Sequence, residues 1–105
     1  MSKEDRKVVK ISITEKQFES QVKELAKLFG WKYYHPWLSI HSPRGWPDVV
    51  LCRPPRLVLA ELKAEKGLLS ESQKEWAELL QACPGVEYYC FRPSDFDKMV
   101  EILKR

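Results

Sequence analysis

Hydrophobic side chains recur along the first third of the chain with the spacing of an α-helix. The members of this stripe are Phe18, Val22, Leu25, Ala26 and Phe29. A spacing of three or four residues places such side chains on one helix face. Thr14, with Gln17 three residues later, forms a capping box that begins the helix, and Gly30 ends the pattern. The sequence therefore predicts an amphipathic helix between residues 14 and 30.

Two runs in the middle of the chain have the composition and length of β-strands. Residues 48–53 (DVVLCR) and 57–63 (LVLAELK) are rich in branched apolar side chains, and Pro54, Pro55 and Arg56 separate them. We therefore expect a hairpin. In the second run, positions 57, 59, 61 and 63 share one face and positions 58, 60 and 62 the other. Both faces are apolar before the charges begin, which predicts a central strand covered by helices on both sides.

The segments around this hairpin are shorter or less regular. Residues 31–35 (WKYYH) suit a short aromatic strand, and residues 7–13 suit a short strand or an extended arm. Residues 36–47 contain three prolines and one glycine, which is typical of a loop or an irregular hairpin.

The last third of the chain contains signals for a helix, a strand and a second helix. Ser70 and Gln73 form another capping box, and a helical stripe follows at Trp76, Leu79, Leu80 and Cys83. Residues 86–92 predict a strand, and residues 93–105 a terminal helix with inward Phe96, Met99, Val100 and Leu103. The order of elements predicts an α/β protein with an arm or short strand at 1–13 and one domain at 14–105.

Composition narrows the class of protein without identifying its function. The 105 residues are 44% hydrophobic and 31% charged, as in a soluble domain, and no apolar run approaches the roughly 20 residues of a membrane helix. The charged start also lacks the apolar core of a signal peptide, so we expect a cytoplasmic protein. Three cysteines without CxxC spacing indicate buried thiols, not a disulfide framework or zinc knuckle. The net charge of +3 permits a nucleic-acid partner but suits a solvated basic surface equally well.

Charged residues at the two strand ends are the strongest candidates for chemistry. If the central runs pair as antiparallel strands, Asp48 at the start of one lies beside Glu61 near the end of the other. Two carboxylates suit a hard cation such as Mg²⁺, with Mn²⁺ as a substitute, and the Leu62 carbonyl offers another oxygen. Lys63 lies on the same strand face as Glu61, where it could orient a metal-bound water for attack on a phosphate group. A plain strand-end ion pair remains the alternative explanation.

These residues resemble the PD-(D/E)xK nucleases, and the chain from about Thr14 to Leu103 resembles a stand-alone VRR-NUC (virus-type replication-repair nuclease) domain. The similar features are a glutamate-bearing first helix, the approach SPRGWPD at residues 42–48, Glu61-Leu62-Lys63, and a helix with Gln73 before the closing strand. The resemblance implies a restriction-endonuclease-like αβββαβ core with a mixed sheet flanked by helices, plus a C-terminal helix. It also implies a Mg²⁺-dependent endonuclease for structured or branched DNA, a homodimer, possible Holliday-junction resolution and a viral or phage origin.

The same resemblance assigns further residues to the site. An acid from the first helix is expected to join the metal shell, and Glu19 is preferred to Glu15, although a Glu19–Lys23 surface pair would also explain it. Gln73 is expected to face the active centre, but its place in the capping box accounts for it equally well. The nucleic-acid-binding candidates are Arg44, Trp46 and Lys66. The number of metal ions stays open.

Three other functions remain possible from the sequence. The first is a nuclease that uses His35 or His41 as a general base beside one metal ion. The sequence has no third metal ligand at a spacing that suits such a site. The second is a non-catalytic nucleic-acid-binding module on a nuclease fold, and the third a flap or single-strand nuclease. No phosphate-binding or dinucleotide-binding glycine motif is present, so a nucleotide cofactor is not expected.

Overall fold

The computed structural model describes residues 13–36 and 43–105. The elements are α1 (Glu15–Leu28), β1 (Lys32–Tyr34), β2 (Val49–Arg53), β3 (Arg56–Leu62), α2 (Glu71–Gln81), β4 (Val86–Phe91) and α3 (Phe96–Lys104), with a 3₁₀ turn at Pro93–Asp95. The predicted order of helices and strands is confirmed. The predicted arm lies outside the described residues except for Ile13, as do His41 and residue 42 of the SPRGWPD approach. The division into arm and domain stays a prediction.

The four strands form one mixed sheet in the order β1-β2-β3-β4. Pairing is antiparallel between β1 and β2 and between β2 and β3, and it is parallel between β3 and β4. Helix α2 provides the crossover that a parallel connection requires. Strand β3 is central, as predicted, and its residues Val58 and Ala60 are fully buried.

Helices cover the sheet on two sides because alternate residues of β3 are apolar on both. Val58 and Ala60 belong to the main core, which also contains residues of α1, β2 and α3. Helix α2 lies over the other face, which carries Glu61, and packs mainly against β4. Both predicted capping boxes are present, at Thr14 with Gln17 and at Ser70 with Gln73.

Two predicted helix stripes differ in detail from the structure. In α3, Phe96 is exposed, whereas Ile102 is buried beside Met99 and Leu103. The reason is that Pro93–Asp95 forms a 3₁₀ turn, so the α-helix begins only at Phe96. In α2, Leu79 is 55% exposed, and the buried apolar residues are Ala77 and Leu80. This helix covers the sheet with a narrow stripe at positions 73, 77 and 80.

The prediction of buried thiols is wrong for two of the three cysteines. Cys52 and Cys83 are exposed, and Cys90 is half-buried. Cys52 lies on the outer face of β2 and Cys83 in the turn after α2, where the apolar neighbours along the chain do not produce burial. Among the described residues, no helix is long and apolar enough to cross a membrane.

The turn end of the β2–β3 hairpin holds a group of paired charges that we call the arginine clamp. It consists of Trp31, Arg53, Arg56, Glu87 and the carbonyl of Leu103. Both guanidinium groups lie over the Trp31 ring, at 4.4 and 4.8 Å from its centre. Arg53 donates to the Leu103 carbonyl, as does the Trp31 indole. Arg56 forms a bidentate ion pair with Glu87, at 2.7 and 2.8 Å. Arg53 therefore holds the end of α3 against the hairpin, and Arg56 joins β3 to β4.

Candidate active site

The hairpin brings Asp48 to the end of β3, as the strand pairing predicts. Asp48 directly precedes β2, whose first paired residue, Val49, lies opposite Ala60. The Oδ2 atom of Asp48 accepts a hydrogen bond from the Leu62 backbone N–H at 2.8 Å. The carboxylate therefore continues the contact between the two strands beyond their last backbone pair, next to Glu61.

Glu61 is a buried acid with incomplete hydrogen bonding. Only 2% of the surface of Glu61 is exposed to solvent. Atom Oε1 accepts a hydrogen bond from Nε2 of Gln73 at 3.1 Å, whereas Oε2 has no hydrogen-bond partner among the described residues. Burial is the largest of the causes that together raise the pKa of Glu61 to about 8; the adjacent Asp48 contributes to the rise, and the charge of Lys63 opposes it. A buried carboxyl group with an unpartnered oxygen and a perturbed pKa is typical of a functional site.

Gln73 contributes to the capping box of α2 and also contacts Glu61 in the cleft. Its Oε1 atom accepts a hydrogen bond from the Ser70 N–H at 2.8 Å, which completes the capping box at the start of α2. Its Nε2 atom donates to Glu61. Because the two ends of one amide are used, the beginning of α2 and the orientation of Glu61 depend on the same side chain.

Lys63 and Leu62 follow at the end of β3. The Lys63 side chain is half-buried, and its backbone N–H donates to the Phe91 carbonyl at 2.9 Å, which fixes this end of the strand beside β4. Within the described residues, no ion pair joins Lys63 to Glu61 within 4.0 Å. The strand-end ion pair that was the alternative explanation of Glu61 and Lys63 is therefore absent from the described residues.

An open cleft connects these residues with the first helix. Its lining consists of Glu15, Glu19, Asp48, Glu61, Leu62, Lys63 and Gln73. All the residues predicted to be catalytic therefore line this cleft, and so does Glu15, the other candidate acid of the first helix. Burial raises the pKa of Tyr33 to about 12, and the negative charges of Glu19 and Asp48 contribute to the same shift. The cleft is accordingly a region of concentrated negative charge with a single lining lysine.

Glu19 contacts a histidine in place of its expected helix neighbour. Its Oε1 atom lies 3.4 Å from Nε2 of His35, and Nδ1 of His35 lies 2.7 Å from the Asp48 backbone oxygen. Lys23 instead lies over the ring of Tyr33, at 5.7 Å from its centre. A Glu19–Lys23 pair is therefore absent from this described helix. Both nitrogens of His35 already face protein oxygens, which does not support a general-base role for it.

The donor atoms of the cleft determine whether it could hold a divalent cation. In residues 13–36 and 43–105, no three His, Cys, Asp or Glu side chains are gathered closely enough to hold one metal ion. Mg²⁺ needs less from the protein, because it retains several waters and uses one or two carboxylates. Asp48, Glu61 and the Leu62 carbonyl offer hard oxygen donors, and the unpartnered Oε2 of Glu61 is an oxygen that a cation would satisfy. These residues therefore fit Mg²⁺ or Mn²⁺.

The loop that carries Arg44 and Trp46 is attached to the start of α2. Gly45 has φ +91°, and a Cβ atom there would lie 2.4 Å from the backbone of Ser72, so only glycine permits this approach. The Trp76 indole donates to the Arg44 carbonyl at 3.0 Å, and the rings of Trp46 and Trp76 meet edge to face with centres 4.9 Å apart. Arg44 is exposed, and Trp46 remains partly exposed. Both stay candidates for DNA contacts, on a fixed loop.

The loop after β3 is held in a similar way, which the sequence did not indicate. Arg92 donates to the Gly67 carbonyl at 2.6 Å, and Glu65 accepts a hydrogen bond from the Ser94 N–H. Lys66, between these two contacts, is exposed. The sequence predicts Trp76 as part of a helical stripe and assigns no role to Glu65. No spacing signal identifies either of them as a loop anchor.

Comparison with known proteins supports the fold. The sequence matches no family model and no curated protein. The structure has the α/β architecture expected of a restriction-endonuclease-like core. It is similar to a solved structure described as a VRR_NUC domain protein, with a TM-score of 0.68 and 17% sequence identity, covering 90% of this chain and 88% of the other. At this identity the likeness establishes a shared fold, and it confirms the architecture that the motifs implied.

Proposed function

We propose that this protein is a metal-dependent endonuclease that hydrolyses phosphodiester bonds in DNA. The observation that carries the proposal is the meeting of Asp48, the buried Glu61 and Lys63 at one end of the hairpin. The VRR-NUC-like fold supports it, because a solved structure described as a VRR_NUC domain protein shares this architecture. Function does not follow from fold alone, so the chemistry of the site is the main argument.

The protein groups have separate roles in the proposed reaction. Asp48, Glu61 and the Leu62 carbonyl would hold Mg²⁺ or Mn²⁺, with Glu19 completing or orienting the shell. A bound divalent ion of this kind lowers the pKa of water and offsets charge on a phosphate. Lys63 would orient the attacking water and stabilise negative charge on the phosphate oxygens. Gln73 holds the Glu61 carboxyl in its orientation.

The DNA structure that is cleaved forms a finer part of the proposal. The resemblance favours branched DNA and, as one substrate, a four-way junction. Two opposed cuts in a junction require two sites, which a symmetric homodimer of this small chain would supply. Arg44, Trp46 and Lys66 belong to loops beside the cleft, where they would contact phosphates or stack on a base. A monomer that cleaves flaps or single strands is the alternative.

A cleavage assay with matched variants tests the proposal. Labelled four-way junction, flap, single-stranded and duplex DNAs would be incubated with Mg²⁺, with Mn²⁺ or with EDTA. We expect metal-dependent cleavage that Glu61→Gln and Lys63→Ala reduce by at least about 100-fold. Glu71→Gln and Lys74→Ala are the matched controls, because these residues form an exposed pair on α2.

Each result separates the candidate functions. Cleavage by wild type and both controls, but not by the Glu61 and Lys63 variants, supports the nuclease. Wild-type protein that binds DNA without cutting any substrate supports the non-catalytic binding module instead. Normal cleavage by both site variants would show that the catalytic assignment is wrong.

A further inference from the structure

His35 connects two parts of the candidate site without being buried in the core. The last backbone pair between β1 and β2 is Tyr34 with Val50, and His35 is the first residue after β1. Its side chain is 42% exposed, so burial explains little of its position. Its two ring nitrogens contact the backbone oxygen of Asp48 and the carboxylate of Glu19. Both partners are residues assigned to the cleft.

Hydrogen-bond chemistry assigns the direction of these contacts. A backbone oxygen can only accept, so Nδ1 of His35 must carry a hydrogen and donate to Asp48 at 2.7 Å. That contact orients the ring and directs Nε2 toward Glu19, at 3.4 Å. Because a carboxylate only accepts, Nε2 donates to Glu19 in the imidazolium form of His35, which carries a hydrogen on both ring nitrogens. The arrangement is similar to the outer-shell contacts that orient metal ligands in other proteins.

We propose that His35 is a positioning residue that joins α1 to the site end of the hairpin and sets the position of Glu19 relative to Asp48. The proposal rests on the proposed function, because it assigns Glu19 to the metal shell. It also distinguishes Glu19 from Glu15. Both acids border the cleft, but the His35 contact is made by Glu19.

Two substitutions divide the contacts of His35 between them. The amide nitrogen of Asn lies close to the Nδ1 position, so His35→Asn can still donate to the Asp48 oxygen but cannot reach Glu19. The longer Gln side chain places its amide near the Nε2 position, so His35→Gln keeps a donor toward Glu19. His35→Ala removes both contacts. Lys32→Gln is the matched control, because Lys32 is an exposed residue of β1, the strand that His35 follows.

The primary measurement is Mn²⁺ affinity without DNA, from the free-ion electron paramagnetic resonance signal. We expect His35→Ala and His35→Asn to weaken Mn²⁺ binding about 10-fold, the scale of an outer-shell contact, and His35→Gln to recover most of the loss. In a Glu19→Gln background, His35→Ala should have no further effect, because the contact through which it acts is already gone. Lys32→Gln should bind Mn²⁺ like wild type.

A merely structural role predicts a different pattern. In that case urea unfolding would show reduced stability for His35→Ala, while Mn²⁺ affinity per folded molecule would not change. This result, or additive effects of the Glu19 and His35 substitutions, would overturn the proposal. If wild type binds Mn²⁺ with the expected dependence on His35 but cuts no DNA, the nuclease proposal fails and the positioning role stands. If wild type binds no Mn²⁺, both fail.

Discussion

The two ends of the β2–β3 hairpin differ in how their charged side chains are paired. At the turn end, the arginine clamp pairs Arg56 with Glu87 through two hydrogen bonds and stacks Arg53 on an indole ring. At the other end, Glu61 is buried with one oxygen unpartnered among the described residues, and Lys63 has no ion pair there. The same sheet thus carries one group whose charges are paired with each other, although Nη1 of Arg56 has no hydrogen-bond partner among the described residues, and one buried acid that has no ion-pair partner there.

The difference separates stabilising residues from candidate functional ones. A charge removed from water costs free energy unless a partner compensates for it. The Arg56 guanidinium provides that compensation and lowers the pKa of Glu87, whereas burial raises the pKa of Glu61 to about 8. A protein retains an uncompensated group where function requires it, commonly at the expense of stability. We therefore expect the turn end of the hairpin to contribute to stability and the open end to carry the proposed chemistry.

The same substitution at each end gives the largest expected contrast. Glu61→Gln removes a proposed metal ligand, and we expect the cleavage rate to fall about 1000-fold, on the scale of losing a central electrostatic group. Glu87→Gln should leave the rate per folded molecule within about twofold, because Glu87 belongs to the clamp. Single-turnover cleavage under saturating Mg²⁺ measures both. Equal losses in the two variants would remove the division between the ends.

The pH dependence of stability should have opposite sign at the two ends. In EDTA, the raised pKa of Glu61 means that its contribution is present below about pH 4.5 and is lost as pH rises to about 8. The lowered pKa of Glu87 means that its contribution is present above its unfolded-state pKa and is lost as pH falls. Between pH 5 and pH 8, we expect the free energy of unfolding of the wild-type protein to decline by roughly 1–3 kcal/mol more than that of Glu61→Gln. Urea unfolding of both proteins measures this difference. An unchanged slope would contradict the raised pKa.

Removing the ion pair of the clamp should cost stability directly. Glu87→Gln leaves Arg56 with a weaker acceptor, and we expect the free energy of unfolding at pH 7 to fall by about 2 kcal/mol. Glu61→Gln should be neutral or stabilising in the same measurement, because it replaces a poorly compensated acid with an uncharged amide. Urea titrations of both variants in EDTA would check this. A larger loss for Glu61→Gln would mean that the site end is the more stabilising one.

The two capping glutamines provide the smallest and most closely matched test. Gln17→Ala and Gln73→Ala each remove the same part of a capping box, and each should cost about 1 kcal/mol of stability. Only Gln73 also donates to Glu61, so its variant alone should lose cleavage activity, by about 10-fold. Thermal unfolding and cleavage rates would be measured on the same preparations. Similar activity in both would show that the Gln73–Glu61 contact is not functional.

The fold was largely predictable because its determinants are local. Capping boxes, apolar periodicity and the Pro54-Pro55 turn each act over a few residues, and they located every helix and strand of the described chain. The errors arose where tertiary packing decides the outcome. A stripe of apolar residues indicates that a helix has a buried face, but the exposure of Leu79 and Phe96 shows that the stripe does not fix which of its members are buried.

The site was predictable in its members and less so in its contacts. Strand pairing and period-2 alternation brought Asp48, Glu61 and Lys63 to one end, as expected. The partner of Glu19 was not predictable, since His35 lies outside the first helix, directly after β1, and no spacing rule relates the two. The anchoring of the 43–47 loop by Trp76 was missed for the same reason. It depends on a close approach between distant segments at Gly45.

The hydrogen bond from the Leu62 N–H to the Asp48 side chain has a consequence for folding. A hairpin that pairs one residue out of register turns every side chain of one strand to the wrong face. The mispaired hairpin would also move the Leu62 N–H away from the Asp48 carboxylate, so it could not form this bond. The acid proposed for chemistry therefore also helps the chain to distinguish the correct alignment of its two central strands from the nearest incorrect one.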